Sequence, residues 1–227
     1  MENKKNLEYL DKYYSLKSIG NSIDYLSKKI KRIRAHVNPF KFLDKHQFEG
    51  FKNNNPIIID IGCAKAEFIF ELYKKLKNYN FIGFEVRPLM IKYLEQEFEK
   101  YKNIIFFSGN AQNNLINIIE PNLKKNIKIE YIFINFPDPW IKTKHIKRRI
   151  INKEFLNQIY QLFEKYNVKT KIIIQTDVDF MFNDIKEQII NSKYEKYTLF
   201  DKPIFNIQTK WEIDSIKKKK TIYRLLI

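Results

Sequence analysis

Short apolar runs alternate with longer amphipathic segments through most of the chain, and this alternation constrains the fold more than any other feature. Each run is followed by a segment whose apolar residues recur at helical spacing. Such alternation predicts an α/β fold, with a mostly parallel sheet that carries helices on both faces. Two tail segments, 194–200 and 221–227, are expected to close the sheet as an antiparallel pair, which gives seven strands. The five predicted parallel strands are 57–61 (IIIDI), 80–85 (NFIGFE), 103–108 (NIIFFS), 129–136 (IEYIFINF) and 171–176 (KIIIQT).

A polar side chain stands at or just after the end of every predicted parallel strand. Because parallel strands present their carboxyl ends at one edge of the sheet, these side chains should converge there. Ligands of open α/β sheets bind at this edge, so the pattern predicts a site. The five residues are Asp60, Glu85, Asn110, Asp138 and Asp177.

The turn after the first strand has the character of a nucleoside-binding turn. Asp60 ends the strand and Gly62 opens the turn, but Ala64 and Ala66 stand where further glycines are common. Glu85 follows about 20 residues later, the spacing expected of an acid that binds ribose hydroxyls. The turn lacks the glycine series that a pyrophosphate needs, whereas the acids suit the cationic amino-acid part of S-adenosylmethionine. We therefore favour this donor over a dinucleotide, and we expect Asn110 to contact the adenine edge.

The segment 134–149 (INFPDPWIKTKHIKRR) places one carboxylate in a stiff, cation-rich setting. Pro137 and Pro139 fix their own φ angles and disfavour helical backbone at the residues before them, including Asp138. Trp140 adds a flat aromatic face, which either stacks on a substrate ring or packs the loop against the core. An acid beside an aromatic face and many cations suggests an anionic substrate that contains a ring. The cations are Lys142, Lys144, His145, Lys147, Arg148 and Arg149.

Charge and composition limit the kinds of binding partner and cellular compartment that the sequence predicts. The formal net charge of +16 favours a polyanion, with a membrane surface as the weaker alternative, although an AT-rich coding sequence would also enrich lysine. Arginine is more informative, because four of the six arginines fall in two short basic stretches around Arg34 and Arg148. The single cysteine, Cys63, favours a reducing compartment. We expect a cytoplasmic protein without a membrane segment or metal site, and the sequence leaves an organelle open.

Several segments resemble the tRNA (guanine-N7-)-methyltransferases over almost the whole length. FPDPWIKTKHIKRR (136–149) is the most specific, and DIGCAKAEF (60–68), GFEVR (83–87), TDVDF (176–180) and TKWE (209–212) follow the family's order. RAHVNPF (34–40) is similar to an N-terminal motif of the plant, cyanobacterial and eukaryotic branches. The resemblance implies a Rossmann-like class I methyltransferase fold in residues 56–227, preceded by a tRNA-contacting basic extension in residues 1–55. It also implies methyl transfer from S-adenosylmethionine to N7 of a guanine in the tRNA variable loop (nucleotide 46).

The resemblance also assigns roles to individual residues. Asp138 would be catalytic and would share the cofactor pocket with Asp60, Gly62, Glu85 and Asn110. Asparagine at 110 stands where an acid is common, and Ala66 replaces a usual glycine. The expected substrate contacts are Lys142, Asp177, Thr209, Lys210, Trp211 and Glu212, together with Arg34, Arg148 and Arg149.

Two other functions remain open from the residues alone. An amino-group methyltransferase would carry an Asn- or Asp-Pro-Pro-aromatic tetrad after the fourth strand, and NFPDPW matches it only in part. A basic RNA-binding scaffold with a degenerate methyltransferase core would account for the altered glycine turn. The sequence is compatible with a monomer or a homodimer and does not imply an accessory subunit.

Overall fold

The computed structural model describes residues 37–41, 46 and 48–227, and within them seven strands form one sheet. The strand order is β3-β2-β1-β4-β5-β7-β6, with β1 to β5 parallel and β7 antiparallel to both β5 and β6. This confirms the predicted parallel core and the antiparallel tail. The strands are β1 (Ile57–Ile61), β2 (Asn80–Glu85), β3 (Ile104–Ser108), β4 (Ile129–Asn135), β5 (Lys171–Thr176), β6 (Thr198–Leu199) and β7 (Tyr223–Leu226).

Helices connect the parallel strands as predicted, with differences at two places. The segment 64–77 (AKAEFIFELYKKLK) has helical spacing of apolar residues, but the first helix begins only at Glu67, because Ala64 and Ala66 have left-handed backbone. A helix over Lys210–Lys217 was not predicted, since its eight residues include only three apolar ones. The helices are α1 (Glu67–Lys75), α2 (Pro88–Glu97), α3 (Ala111–Lys124), α4 (Lys153–Lys165), α5 (Asp179–Ile190) and α6 (Lys210–Lys217), with a short 3-10 helix over Thr143–Arg148.

Both faces of the sheet are covered, which explains why the strands are apolar at nearly every position. On one face, alternate strand residues such as Ile59, Ile132 and Ile174 pack with α3, α4 and α5 in the main core. On the opposite face, which we call the α1 face, Phe68 of α1 contacts Phe133 of β4 with ring centroids 5.0 Å apart. Residues 58, 60, 133, 135 and 175 alternate onto the α1 face. Asp60 therefore faces α1 rather than the main core.

The described residues from Phe48 onward pack against the sheet domain. Phe51 is buried and its backbone N–H donates to Oδ1 of Asn122 at 2.8 Å, while Phe48 meets Phe107 edge to face at 5.4 Å. The predicted contact of Arg34 with tRNA lies outside the described residues, as does most of the predicted extension 1–55. None of the helices in the described part is both long and apolar enough to cross a membrane.

Candidate active site

The carboxyl ends of β1 and β2 bring two acids to one edge of the sheet. Asp60 and Glu85 are 3% and 4% exposed, and Asp60 pairs in register with Gly83 of β2. Burial raises the pKa of Asp60 to about 7, a hydrogen bond from Asn135 opposes this rise, and the charge of Glu85 adds to it. The bond joins Asn135 Nδ2 to Asp60 Oδ1 at 3.3 Å. A buried acid of this kind gains from a cationic ligand that stabilises its charged form.

The turn after β1 is tied to β2 and contains three residues with positive φ. The backbone N–H groups of Gly62 and Cys63 both donate to the carbonyl of Phe84, at 2.8 and 2.9 Å. Gly62 has φ 85°, and Ala64 and Ala66 have φ 48° and 57°. A Cβ on Gly62 would meet nothing within 4 Å, so this glycine is required for its backbone angle and leaves open space beside the turn. The alanines thus keep the conformation that glycine favours.

Glu85 is held by Arg87, two residues further along the chain. Nε and Nη2 of Arg87 donate to the two carboxylate oxygens at 2.8 and 2.7 Å, and the Arg87 backbone N–H donates to Oε1 at 3.0 Å. These bonds raise the pKa of the Arg87 guanidinium, and the charge of Asp138 contributes in the same direction. Arg87 therefore connects the end of β2 electrostatically with the loop that carries Asp138.

Asn110 begins α3 beside these acids. Its Oδ1 accepts from the backbone N–H of Gln112 at 2.9 Å and caps the helix, and the side chain is 4% exposed. Gln112 in turn donates from Nε2 to the carbonyls of Arg149 and Ile150, both at 3.1 Å. The predicted adenine contact thus lies on an element that also binds the end of the cation-rich segment.

The loop that follows β4 is held in an unusual conformation around Asp138. Phe136 and Trp140 have φ 49° and 41°, so Phe136 is left-handed rather than extended as its proline neighbour would favour. The backbone N–H of Phe136 donates to the carbonyl of Gln175 at 2.8 Å, and Nε of Arg149 donates to the carbonyl of Pro139 at the same distance. Left-handed backbone at two residues that are not glycine costs about 1–2 kcal/mol each. Such strain concentrates at functional sites.

The cations after this loop differ in exposure, since Lys142 and Arg148 are at least partly exposed whereas Arg149 is buried. Lys142 is exposed, and Arg148 is half-buried with its guanidinium 5.1 Å from the centre of the Trp140 ring. Trp140 also meets His145 edge to face at 5.6 Å, so both rings pack within the loop. Burial and the neighbouring cations lower the pKa of His145, which keeps its ring neutral near neutral pH.

Arg149 lies in a different environment from the one expected of a phosphate ligand. Its side chain is only 8% exposed, and Nη1 forms an ion pair with Asp184 of α5 at 2.9 Å. Its Nε donates to the carbonyl of Pro139 in the Asp138 loop. The structure therefore places Arg149 inside the protein, where it holds the Asp138 loop against α5, rather than at the surface.

The segment 209–212 lies beside Asp177 at the carboxyl end of β5. Thr209 caps α6 by accepting from the backbone N–H of Glu212 at 3.1 Å. Oδ2 of Asp177 accepts from Trp211 Nε1 at 3.3 Å, and from Ser215 Oγ and Lys220 Nζ at 2.7 Å each. Burial alone would raise the pKa of Asp177, but these donors hold it below the usual range. Trp211 is 58% exposed, so a large aromatic face stands open at this edge.

Glu212 is fully buried, unlike its neighbour Lys210, which is exposed. Oε1 of Glu212 accepts from Arg224 Nη2 at 2.6 Å and from Gln208 Nε2 at 3.2 Å. Oε2 is buried and has no hydrogen-bond partner among the described residues. An orphaned carboxylate oxygen of this kind is costly to bury and marks a place where a donor is missing.

Several residues that shape the site were not predicted as part of it. Asn135, Gln175 and Arg224 form hydrogen bonds next to the predicted acids. One signal was present, because Gln175 directly follows the apolar run III in KIIIQT and Arg224 directly precedes the leucines in YRLL. Within the part of the chain that the structure describes, no group of three or more His, Cys, Asp or Glu side chains could hold a metal ion.

Comparison with known proteins identifies the class. The profile of a family described as "Putative methyltransferase" matches residues 54–225. A solved structure of an antibiotic-related methyltransferase aligns with a TM-score of 0.52 at 17% identity, covering 76% of this chain and 87% of that chain. The strand order and the acid-rich carboxyl edge agree with these matches and define an α/β methyltransferase.

Two curated relatives define the family within this class. A tRNA (guanine-N(7)-)-methyltransferase of Prochlorococcus marinus (strain AS9601) is 35% identical over 205 residues, which is 84% of this chain and 92% of the relative. Another, from Prochlorococcus marinus subsp. pastoris, is 40% identical over 178 residues, with 72% and 81% covered. The chain belongs to the tRNA (guanine-N7-)-methyltransferase family.

Proposed function

We propose that this protein transfers a methyl group from S-adenosylmethionine to N7 of a guanine in the variable loop of tRNA. The observation that carries the proposal is the convergence of buried acids, Asp60 and Glu85, with the strained Asp138 loop at one edge of a methyltransferase sheet. Family membership supports the choice of acceptor.

The residues at the ends of β1 and β2 fit the donor. S-adenosylmethionine supplies an electrophilic methyl group on a sulfonium, next to an ammonium and a ribose. Asp60 would bind the cationic amino-acid part, and the open space beside Gly62 leaves room for the ligand near the turn. Glu85 would accept from the ribose hydroxyls, with Arg87 keeping its carboxylate oriented. Asn110 would contact the adenine edge by an amide hydrogen bond.

The acceptor requires positioning more than proton removal. Guanine N7 carries a lone pair and no proton, so its attack on the methyl group needs no strong general base. The methylated ring is cationic, and a carboxylate nearby stabilises the charge that develops in the transition state. Asp138 is suited to this role because the strained backbone around it fixes its place. Its charge acts together with those of Asp60 and Glu85.

Acids near α6 would recognise the guanine itself. The N1–H and exocyclic amino groups of guanine are donors, and ionised carboxylates are acceptors only. Oε2 of Glu212 lacks a partner among the described residues but is fully buried, so it would accept from these groups when binding of the base moves the side chains that cover it. Trp211, exposed and anchored through its N–H to Asp177, would stack on a base. Lys142 and Arg148 would contact phosphates. The cations would thus bind the RNA backbone while the acids bind the base, which explains why a basic protein has acids at this edge.

Methylation of unmodified tRNA with a labelled donor tests the proposal. Aniline cleavage then locates the label, because 7-methylguanosine makes the chain labile at that nucleotide. We expect one cleavage site, in the variable loop, and none in a tRNA whose variable-loop guanine is replaced by adenine. Label on an exocyclic amino group would instead support the amino-group methyltransferase. Absence of transfer together with tight tRNA binding would support a non-catalytic scaffold.

A further inference from the structure

A row of hydrogen bonds crosses the sheet on the α1 face and ends at the donor-binding acid. Arg224 Nε donates to Gln175 Oε1 at 2.8 Å, and Gln175 Nε2 donates to Asn135 Oδ1 at 2.6 Å. Asn135 Nδ2 then donates to Asp60 Oδ1 at 3.3 Å. The row follows the strand register, since Asn135 pairs with Gln175 and Gln175 pairs with Arg224. It therefore spans β7, β5, β4 and β1.

Every bond in this row points the same way, from the guanidinium toward the carboxylate. Arg224 can only donate, and an ionised Asp60 can only accept, so the two ends fix the orientation of both amides between them. Asp60 and Gln175 are each 3% exposed, Arg224 is 7% exposed and Asn135 is half-buried, so most of the row is shielded from water. Hydrogen bonds aligned in series polarise one another. The positive charge of Arg224 is thereby relayed to Asp60 through two neutral side chains.

The same guanidinium also holds the acid on the acceptor side. Arg224 Nη2 donates to Glu212 Oε1 at 2.6 Å, and Nη1 donates to the carbonyl of Asp201 at 2.7 Å. Both bonds fix the guanidinium plane, so Glu212 is oriented with Oε1 engaged. Its other oxygen, Oε2, is left without a partner within the described residues. Arg224 is therefore linked to two carboxylates, Asp60 and Glu212, which are predicted to bind different ligands.

We propose that Arg224 and Gln175 are positioning residues that set the two ligand-binding acids, Arg224 for both Asp60 and Glu212, and Gln175 for Asp60 alone. This inference rests on the proposed function, because it takes Asp60 as the donor-binding acid and Glu212 as the guanine-binding acid. The proposal assigns both residues contacts to the acids and none to the ligands themselves. Their roles differ because Gln175 lies on the branch toward Asp60, whereas Arg224 lies where the two branches meet.

This arrangement predicts a separation of effects among three variants. In Gln175→Glu the side chain keeps its size and its bond from Arg224 but loses the donor to Asn135, so S-adenosylhomocysteine should bind about tenfold more weakly while tRNA affinity stays within about twofold. Glu212→Gln should weaken tRNA binding about tenfold with donor affinity unchanged. Arg224→Lys replaces the planar guanidinium fork with a compact ammonium group that cannot hold both branches in the same geometry, so it should weaken both affinities. Gln161→Glu, an exposed change on α4, is the matched control and should alter neither affinity.

The measurements are calorimetric titration with S-adenosylhomocysteine alone and filter binding of tRNA alone, followed by separate KM values for donor and tRNA. A purely structural role for Gln175 would reduce both affinities together, and that result would overturn the proposal. Unchanged donor affinity in Gln175→Glu would also overturn it. If this variant does not fold, Gln175→Met carries the same expectation, and failure of both to fold would assign Gln175 to the core alone. The wild-type aniline assay is independent, so a failure of the proposed function is recognised separately.

Discussion

At the residue scale, Asp60 combines deep burial with a pKa of about 7, far above the ordinary value of about 3.9. Because the folded protein binds this proton more tightly than the unfolded chain, the contribution of Asp60 to the free energy of unfolding decreases as pH rises from about 4 to about 7. Binding of a cationic ligand lowers the pKa of Asp60, since it favours the ionised carboxylate. The charge of Glu85 also raises the pKa of Asp60, whereas the hydrogen bond from Asn135 lowers it.

We therefore predict that the affinity for S-adenosylhomocysteine increases several-fold from about pH 6 to about pH 8. Asp60→Asn should bind more weakly, and its affinity should be nearly independent of pH over this range. Calorimetric titration at several pH values measures both. An equal pH dependence in Asp60→Asn would assign the titration to another group and remove Asp60 from the donor site.

The two left-handed alanines give a second prediction, on stability. Ala64 is exposed, so Ala64→Gly loses no buried methyl group and should raise the free energy of unfolding by about 0.5–1 kcal/mol. Ala66 is 0% exposed, and the loss of its methyl, worth about 0.8 kcal/mol, should cancel most of the gain in Ala66→Gly. Urea denaturation tests the contrast. Stabilisation of Ala66→Gly alone would contradict this explanation of the turn.

The sequence predicted those site residues whose position follows from strand order. Asp60 and Glu85 end parallel strands, so their convergence needed only the rule for α/β sheets, whereas the roles of Arg149 and Glu212 could not be inferred in this way. Whether an arginine in a basic run faces phosphate or the core depends on a partner such as Asp184, which lies 35 residues further along the chain. Glu212 is paired with Arg224, which lies on β7, and that pairing depends on the antiparallel position of β7 beside β5 rather than on the sequence around residue 212.

At the element scale, the Asp138 loop depends on supports from two helices and a strand. Arg149 bonds to Pro139 and Asp184, Gln112 of α3 bonds to the backbone of residues 149 and 150, and Phe136 bonds to β5. The prolines restrict the loop, but these tertiary bonds select its left-handed conformation at Phe136 and Trp140. Proline content alone therefore predicted stiffness but not shape. The sequence likewise did not predict α6, which Thr209 caps and which has few apolar residues.

Loss of the Arg149 support should affect turnover rather than RNA affinity. In Arg149→Met the loop loses its bonds to Pro139 and Asp184, so we expect kcat to fall at least about tenfold because Asp138 is no longer fixed. The tRNA affinity and its dependence on salt should remain close to those of the wild type. Steady-state kinetics and filter binding measure these quantities. A reduced salt slope would show instead that Arg149 contacts phosphate.

At the scale of the whole molecule, a net charge of +16 is combined with a carboxyl edge lined by buried acids. In the proposed function, the cations would attract any nucleic acid and the acids would act on one base. The lysines at the opposite edge of the sheet, such as Lys128 and Lys169, are also exposed but lie before β4 and β5. Substituting these lysines separates the effect of overall positive charge on RNA binding from the effect of contacts at the candidate site.

The cations beside the Asp138 loop should therefore differ from those at the opposite edge. Replacing Lys142 and Arg148 by Ala should weaken tRNA binding and reduce the slope of log affinity against log salt concentration by about 1 for each phosphate that is no longer neutralised. The matched pair Lys128→Ala and Lys169→Ala removes the same charge and should change the slope little. An equal change of the salt slope in the two double variants would mean that Lys142 and Arg148 contact no particular phosphate.

The proposed methyl transfer depends on Asp138 acting at the reacting atoms. Single-turnover methyl transfer by Asp138→Ala, measured beside its tRNA affinity, tests this most directly. We predict that the rate falls at least about 100-fold, consistent with the loss of electrostatic stabilisation in a preorganised site, while the tRNA dissociation constant stays within about twofold of the wild type. Turnover near the wild-type rate in a variant that still binds tRNA would contradict the central role given to this carboxylate.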